Sequence, residues 1–388
     1  MTHACVFKLY QNRKNKYLHQ KIDIGGIIYN HCIALSKTYY KFFKKSLNKY
    51  RLQKHLTKCK KQTHHEFWNM LGSQAIQDIT DRIDRGYRLF FLKRKNNLKS
   101  SLPSFKKVKK YKSFTLKQAG YKFLEANHIK IGKQIFKYSK SRSFDLSKIK
   151  RVTIKRDALG DLFLIITLED EKITEGNVMS GKIAGIDFGL KTFLTLSNMT
   201  KIKSPLFYKK NIKAITKAHK KLSSKKKHSQ RRKKTKLALA RLYRSLRYSR
   251  NNFFFHLAHS LTNSYDYIFL EDLNIKAMQR LWGKKISDLS FHSFVKILEY
   301  IARKKGKIVH KIDRFFPSSK LCSCCGLKKE ELKLDMRNWK CPGCNTMHER
   351  DINAAINILR EGASSLSLDI VRLENSSEYC LKLESNVL

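Results

Sequence analysis

KIAGIDFGLKTFLTLSN (residues 182–198) consists of two short apolar runs on either side of a turn, and it reads as a β-hairpin. Asp187 follows the apolar residues of the first run and is flanked by Gly185 and Gly189. Two further segments answer to it. YIFLEDL (267–273) reads as another strand, with Glu271 ending its apolar run and Asp272 following, and INAAINILREG (352–362) reads as a helix opened by Asp351. Two acids therefore lie at strand ends and one at a helix start, where α/β folds build their sites. Taken singly, each has an ordinary explanation. Asp351 could cap its helix, Asp187 could cap the turn, and Glu271 with Asp272 could pair with a basic chain. Yet no acid occurs between Asp187 and Asp266. Burying carboxylates beside apolar strands is costly unless a cation compensates. Mg²⁺ fits that need, because it takes oxygen ligands from a few carboxylates plus phosphate. Two such ions about 3.5–4 Å apart would clamp the attacking and leaving oxygens of an in-line phosphodiester displacement, with Asp187 as the bridging ligand and no histidine base required.

Around this region the elements interleave. A long basic helical stretch is expected over about 211–264, a helix over about 291–305, and a strand in IVHKIDRFF (308–316). Upstream, VFKLY (6–10) reads as a strand. Residues from Gly26 to about Lys93 carry a helical face through Trp68, Leu71, Ala75, Ile79, Ile83, Tyr87 and Phe90. From Ser100 to Glu169 the period shortens to that of strands, with DALGD (157–161) as a hairpin turn. The polar linker DEKITEGNVMSGK (170–182) marks a boundary near residue 178, and the tail beyond about Ser364 is expected to be loosely ordered.

Charge names the partner class. The chain of 388 residues carries 83 Lys and Arg against 30 Asp and Glu, a net +53, which calls for a polyanion such as nucleic acid. The apolar fraction of 41% supports more than one core. A membrane-surface protein would concentrate its charge on amphipathic helices, whereas here it runs along most of the chain. No apolar stretch approaches a membrane span, and the opening residues lack the apolar core of a secretory signal, so a cytoplasmic or nucleoid location is expected. The charge is densest between Lys220 and Arg250, with fourteen basic residues and no acid. Lys225, Lys226, Lys227, Arg231, Arg232, Lys233 and Lys234 form the cluster, and Arg241, Arg244, Arg247 and Arg250 step by three beside Leu239, Leu242 and Leu246. Contacts from such a helix go to phosphates and position the nucleic acid without reading its sequence.

Five of the nine cysteines crowd between Cys322 and Cys344. Cys322-x2-Cys325 and Cys341-x2-Cys344, fifteen residues apart, match the spacing of a structural Zn²⁺ ribbon in a reducing compartment. Gly326 and Gly343 suit the knuckle turns, and Cys324 is left as a spare thiol.

Taken together, GIDFGLKTFLTLSN, KKLSSKKKHSQRRKKTK, ARLYRSLRYSRNNFFFHLAHSL, FLEDLNIKAM, DRFFPSSKLCSCCG and RNWKCPGCNTMHERDINAAINI resemble, in order and separation, the TnpB family. These are transposon-associated RNA-guided nucleases related to type V CRISPR effectors. GYRLFF (86–91) and LPSFKK (102–107) resemble it less specifically. The resemblance implies a multidomain α/β protein with an RNase H-like RuvC nuclease core. Residues 1–25 and 99–178 would form a β-barrel-like wedge module, and 26–98 a helical recognition lobe inserted in it. Residues 179–317 and 349–388 would form the nuclease, and 318–348 an inserted zinc ribbon. It places Asp187, Glu271 and Asp351 on the catalytic acids and the four cysteines on the zinc module. Gln77 and Thr115 fall where the family contacts the short motif flanking its DNA target. Glu349 departs from the usual Asp of that motif, with little effect expected because it is not a catalytic position. The implied partners are a guide RNA and target double-stranded DNA bound by one protein chain, with Mg²⁺ and Zn²⁺ as cofactors. Guide–target pairing would read the sequence while the protein reads backbone shape. A nuclease-silent RNA-guided binder is disfavoured by three intact acids. A DDE-type transposase is disfavoured by the zinc module between the second and third acids, and a general RNA-binding protein leaves the acids unexplained.

Overall fold

A computed structural model of the chain describes residues 2–169, 180–274, 283, 288–332, 335–372 and 379–381. The linker expected around residue 178 and the end of FLEDLNIKAM lie outside them for the most part. The chain forms two compact units, Met1–Lys172 and Ile173–Leu388.

The first unit begins with β1 (Thr2–Lys8), followed by α1 (Asn15–Phe43), α2 (Lys49–Cys59), a 3₁₀ helix (Thr63–Leu71) and α3 (Ser73–Lys95). Strands follow: β2 (Ser113–Leu116), β3 (Tyr121–Leu124), β4 (His128–Ile131), β5 (Gln134–Lys137), β6 (Ile149–Arg156) and β7 (Leu162–Glu169). They form an antiparallel sheet in the order β1-β7-β6-β2 and a separate sheet β3-β4-β5. Alternation decides the buried face: Leu162, Leu164, Ile166 and Leu168 of β7 point inward with Val152 and Ile154 of β6. They join Leu18, Ile22, Trp68 and Ile79 of the helices in one core. DALGD closes the β6–β7 hairpin, with Asp157 Oδ1 accepting from the backbone N–H groups of Leu159 (2.8 Å) and Asp161 (2.9 Å).

Two expectations are corrected in this unit. The helical region starts at Asn15, not Gly26, and Gly25 and Gly26 lie inside α1. They provide a notch for Tyr111: a Cβ on Gly26 would lie 2.9 Å from the Tyr111 Cβ. The face through Trp68 and Ile79 is broken at Gly72, whose φ of +88° separates the 3₁₀ helix from α3.

The second unit contains β8 (Lys182–Phe188), β9 (Thr192–Leu196), β10 (Lys201–Lys203), α4 (Phe207–Ser223), α5 (Gln230–Ser264) and β11 (Tyr267–Glu271). After these come α6 (Phe291–Lys304), β12 (Ile308–Ile312), β13 (Asn338–Lys340), β14 (Met347–Glu349) and α7 (Arg350–Ser365). The sheet order is β10-β9-β8-β11-β12. Strands β8, β9 and β10 are a meander, while β11 runs parallel to both β8 and β12. The expected single basic helix is two helices, because the chain turns between Ser223 and Gln230 and Ser229 caps α5 through Arg232 N–H. The tail expected to be loose lies partly outside the described residues, and its described residues include two short strands. Ile370–Arg372 forms β15 and Tyr379–Leu381 forms β16, which pairs antiparallel with β8 at Ile183 and Lys182.

Each face of this sheet has its own core. Ala184 and Ile186 of β8 and Ile268 and Leu270 of β11 pack with α5 and α6 through Phe254, Phe291 and Phe294. Ile183 and Phe269 pack on the opposite face with Ile358, Leu359 and Ala363 of α7. No helix among the described residues is long and apolar enough to cross a membrane.

Candidate active site

The two-residue period of a strand fixes which face each acid occupies. Ile183, Gly185 and Asp187 share one face of β8, and Tyr267, Phe269 and Glu271 share the same face of β11, the face α7 covers. The strands are parallel with Leu270 opposite Ile186, so Asp187 and Glu271 lie side by side at their carboxyl ends. Helix α7 supplies the third acid, because Asp351 stands in its first turn, on the same face as Ala355, Ile358 and Gly362.

Two glycines allow the helix to come this close. A Cβ on Gly185 would lie 2.1 Å from the Ala355 carbonyl oxygen and 2.7 Å from the Leu359 nitrogen. A Cβ on Gly362 would lie 2.2 Å from the Phe269 ring. The backbone of α7 therefore touches the sheet where a side chain would hold it away, and Asp351 is delivered to the strand ends.

The electrostatics match this crowding. Burial, with the charges of Glu271 and then Asp351, pushes the half-buried Asp187 carboxyl up to about 8, while Arg350 and the Phe188 backbone N–H oppose the rise. Burial also raises Glu271, and the buried Ser318 hydroxyl donates a hydrogen bond to its Oε1, offsetting part of that rise. Asp351 pairs with Arg337 Nη1 at 3.2 Å. Two raised carboxylates with a third beside them form a set a divalent cation would satisfy, and oxygen donors suit Mg²⁺. Asp272 is separate from them and forms an ion pair with Arg314.

The cysteines converge as their spacing predicts. The Sγ atoms of Cys322, Cys325, Cys341 and Cys344 lie within 4.8 Å of one another, with Cys322–Cys344 and Cys325–Cys341 each at 3.6 Å. Tetrahedral bonds of about 2.3 Å would set sulfurs roughly 3.8 Å apart, so the cluster fits zinc. Burial pushes the Cys322 thiol up to about 12, and the hydrogen bond with Thr346 brings Cys344 down to about 5. Cys324 is exposed, as a spare thiol would be. His348 Nε2 lies 3.0 Å from Cys322 Sγ, a contact the spacing does not reveal.

The cysteine module is bonded to α7. Asn353 Oδ1 accepts from the Ser323 N–H and its Nδ2 donates to the Leu321 carbonyl, at 2.9 and 2.7 Å. Asn357 Nδ2 donates to the carbonyls of Ser318 and Leu321 at 2.8 and 2.6 Å. Both asparagines are buried. Their sequence signal is a pair of poor helix formers four residues apart in an apolar helix, INAAINI, which marks a face with polar work.

The expected nucleic-acid contacts divide. Lys226, Lys227, Arg231, Lys233, Lys234, Arg241 and Arg247 are exposed, and Lys225 and Arg244 are half-buried. Arg232 instead caps α4, donating to the carbonyls of Leu222 (2.6 Å) and Lys225 (2.8 Å). Arg250, at the end of the three-residue steps, turns inward to Ser290 and Asp288. In the first unit Gln77 is exposed on α3. Thr115 is buried, its hydroxyl engaged by Arg82 Nη2 (2.8 Å) and Thr153 (3.0 Å), a placement unsuited to direct contact with DNA.

Comparison with known proteins agrees with this architecture. Residues 165–281 match a family model described as "Probable transposase", and 291–358 match the "Cas12f1-like, TNB domain". A "Putative RNA-guided DNA endonuclease" of Streptomyces pristinaespiralis is 29% identical over 334 residues, covering 83% of this chain and 80% of that one. The "Putative RNA-guided DNA endonuclease InsQ" of Escherichia coli K12 is 24% identical, covering 80% of each. These matches support the resemblance to the TnpB family. A structure described as a Cas12f1-sgRNA-target DNA complex shares the fold of this chain, at a TM-score of 0.58 and 16% identity over 89% of this chain and 83% of that one.

Proposed function

We propose that the chain is an RNA-guided DNA endonuclease that cuts double-stranded DNA beside a short flanking motif, with Asp187, Glu271 and Asp351 as its catalytic acids. The observation that carries this reading is the convergence of the three carboxylates on one face of the sheet, beneath the first turn of α7. The order β10-β9-β8-β11-β12, a meander followed by two parallel strands, supports an RNase H-like core of the RuvC type. Relatives covering most of the chain carry the name of RNA-guided DNA endonucleases, which supports the substrate class.

The three carboxylates would hold Mg²⁺, which when bound activates water and neutralises charge on the scissile phosphate. The chain's own part is to fix the acids: β8 and β11 set two of them in register, and the Gly185 notch sets the third. Ser318 orients Glu271. The exposed cations of α5 suit phosphates of the guide or target, and the four cysteines would hold a structural Zn²⁺. In the first unit, residues 1–25 and 99–178 would act as the wedge and 26–98 as the recognition lobe. There Gln77, not Thr115, is available to the flanking motif. The protein would act in the cytoplasm or on the nucleoid, as one chain per RNA.

The test is twofold. RNA co-purifying with the protein is sequenced, and one discrete structured species is expected; a random mixture would refute guidance. Asp187→Ala is then assayed on plasmid carrying the matching target. Loss of cleavage with RNA and DNA binding retained is expected, and cutting at the wild-type rate would refute the site.

A further inference from the structure

The first unit contains a second convergence of metal-binding side chains. His55 and Cys59 stand four residues apart on one face of α2, and His31 faces them from α1. His31 Nε2 lies 2.9 Å from His55 Nε2, and Cys59 Sγ lies 3.2 Å from that same nitrogen. The three ligand atoms all lie within 4.8 Å of one another. The two imidazoles are stacked with their planes 14° apart and their centroids 5.2 Å apart.

Hydrogen bonding alone serves this arrangement poorly. His55 Nε2 has either one proton or one lone pair, and it faces two neighbours. If it donates to His31, Cys59 must compete for the same hydrogen. If it accepts, the His31 N–H and the Cys59 S–H compete for one lone pair. A cation among the three atoms takes a lone pair from each at once. We propose that His31, His55 and Cys59 hold a second transition-metal ion, Zn²⁺ by preference, which ties α2 to α1.

The donor set decides the metal. Two imidazoles and a thiolate are borderline to soft donors, the choice of zinc and its neighbours, and no carboxylate joins them as Mg²⁺ or Ca²⁺ would require. The surroundings suit a fixed site. Cys59, Leu52, Leu56 and Trp68 are buried around it. The Trp68 ring packs edge-on to His31 at 5.1 Å and stacks on His65 at 4.2 Å, walling off one side. Three protein ligands leave the fourth position for water or for a further side chain. The bond set closes the hairpin between α1 and α2, whose connection at Lys44 has left-handed backbone with φ of +52°.

The experiment uses the full chain with its co-purified RNA, incubated with excess Zn²⁺ and desalted, with zinc and sulfur counted by mass spectrometry. Two zinc ions per chain are expected. Cys341→Ser should remove one, His55→Ala with Cys59→Ser should remove the other, and the combined variant should hold none. One zinc per wild-type chain, lost with Cys341→Ser, would overturn the proposal. Should the α2 variants fail to fold, Co²⁺ titration of the wild-type chain decides. Two spectral components, one from four thiolates and one from a single thiolate, are expected, whereas saturation at one equivalent with only the four-thiolate spectrum would overturn it. Neither readout depends on cleavage, so the outcome is separate from the reading of the second unit.

Discussion

If Asp187 stands at about 8 without a cation, metal binding in this protein must expel a proton, and the affinity must follow pH. At pH 7 only about a tenth of Asp187 is ionised under that value, so a bound Mg²⁺ should release close to one proton from this group. The apparent affinity should strengthen roughly tenfold per pH unit from pH 6 to 7.5 and level off above about 8.5. Stability follows with a definite sign. The carboxyl is raised in the folded state, so its contribution is fully present below the unfolded value of 3.8 and is lost as pH climbs through about 8. The whole displacement would correspond to roughly 6 kcal/mol, and solvent reaching a half-buried carboxyl reduces this to about 2–3 kcal/mol. Asp187→Asn removes the ionisation. Without divalent metal it should exceed wild type by about 2–3 kcal/mol at pH 8.5 and match it near pH 4. The assay is calorimetric Mg²⁺ titration in two buffers of different ionisation enthalpy, which counts protons, beside denaturant melts of both proteins with chelator. Mg²⁺ binding that releases no proton at pH 7, or an Asp187→Asn gain equal at both pH values, would refute the reasoning.

Three further perturbations follow from the same geometry. Gly185→Ala forces a methyl into the Ala355 carbonyl and should cost about 1–3 kcal/mol or displace α7; thermal melts measure the first, and cleavage should fall far more than RNA binding. Asn357→Ala removes a buried donor from the Ser318 carbonyl and one of two asparagine donors from that of Leu321, and should destabilise by about 1–3 kcal/mol, read by urea denaturation. Ser318→Ala removes the hydroxyl that holds Glu271 down, so the acidic limb of the pH–cleavage profile should move to higher pH; an unmoved limb would show that Ser318 does not act through Glu271.

The acids were legible in the sequence because alternation is a local property. In KIAGIDF the apolar residues before Asp187 define a strand, and YIFLE repeats the pattern, so both positions at strand ends follow from spacing alone. The cysteines were legible for the same reason: ligand spacing is short-range. Long-range burial is not encoded that way. Arg232 and Arg250 look like their neighbours in a basic run, and only the placement of α4's end and of Asp288 turns them inward. Thr115 sits in a strand whose face is set by Arg82 on α3, more than thirty residues away. The break near residue 224 has no proline or glycine to announce it; Ser229 carries the signal as a helix cap, inside a lysine run that resembles continuous helix. The tail's described strands are three residues long and pair with each other and with β8, below the reach of any periodicity.

The cysteine cluster and the acidic site are joined by one short path. Arg337 immediately precedes β13 of the cysteine hairpin, its carbonyl accepts the Arg350 N–H at 2.8 Å, and its guanidinium pairs with Asp351. The hairpin thus begins α7 and neutralises that helix's acid at the same time. Asn353 and Asn357 attach the other side of the module, Leu321 to Ser323, to the same helix. Ser318, two residues before Lys320 in the approach to the first knuckle, contacts Glu271. Two of the three acids are therefore positioned by residues of the cysteine module or its approach, while Asp187 and Glu271 share the sheet. Zinc removal should accordingly disturb Asp351 and Glu271 before it disturbs the sheet. A chelator that strips the four cysteines should abolish cleavage while β8–β11 remain protected from hydrogen exchange. Loss of protection across β8 and β11 at the same rate as the hairpin would mean that the module is part of the core and not a clamp upon it.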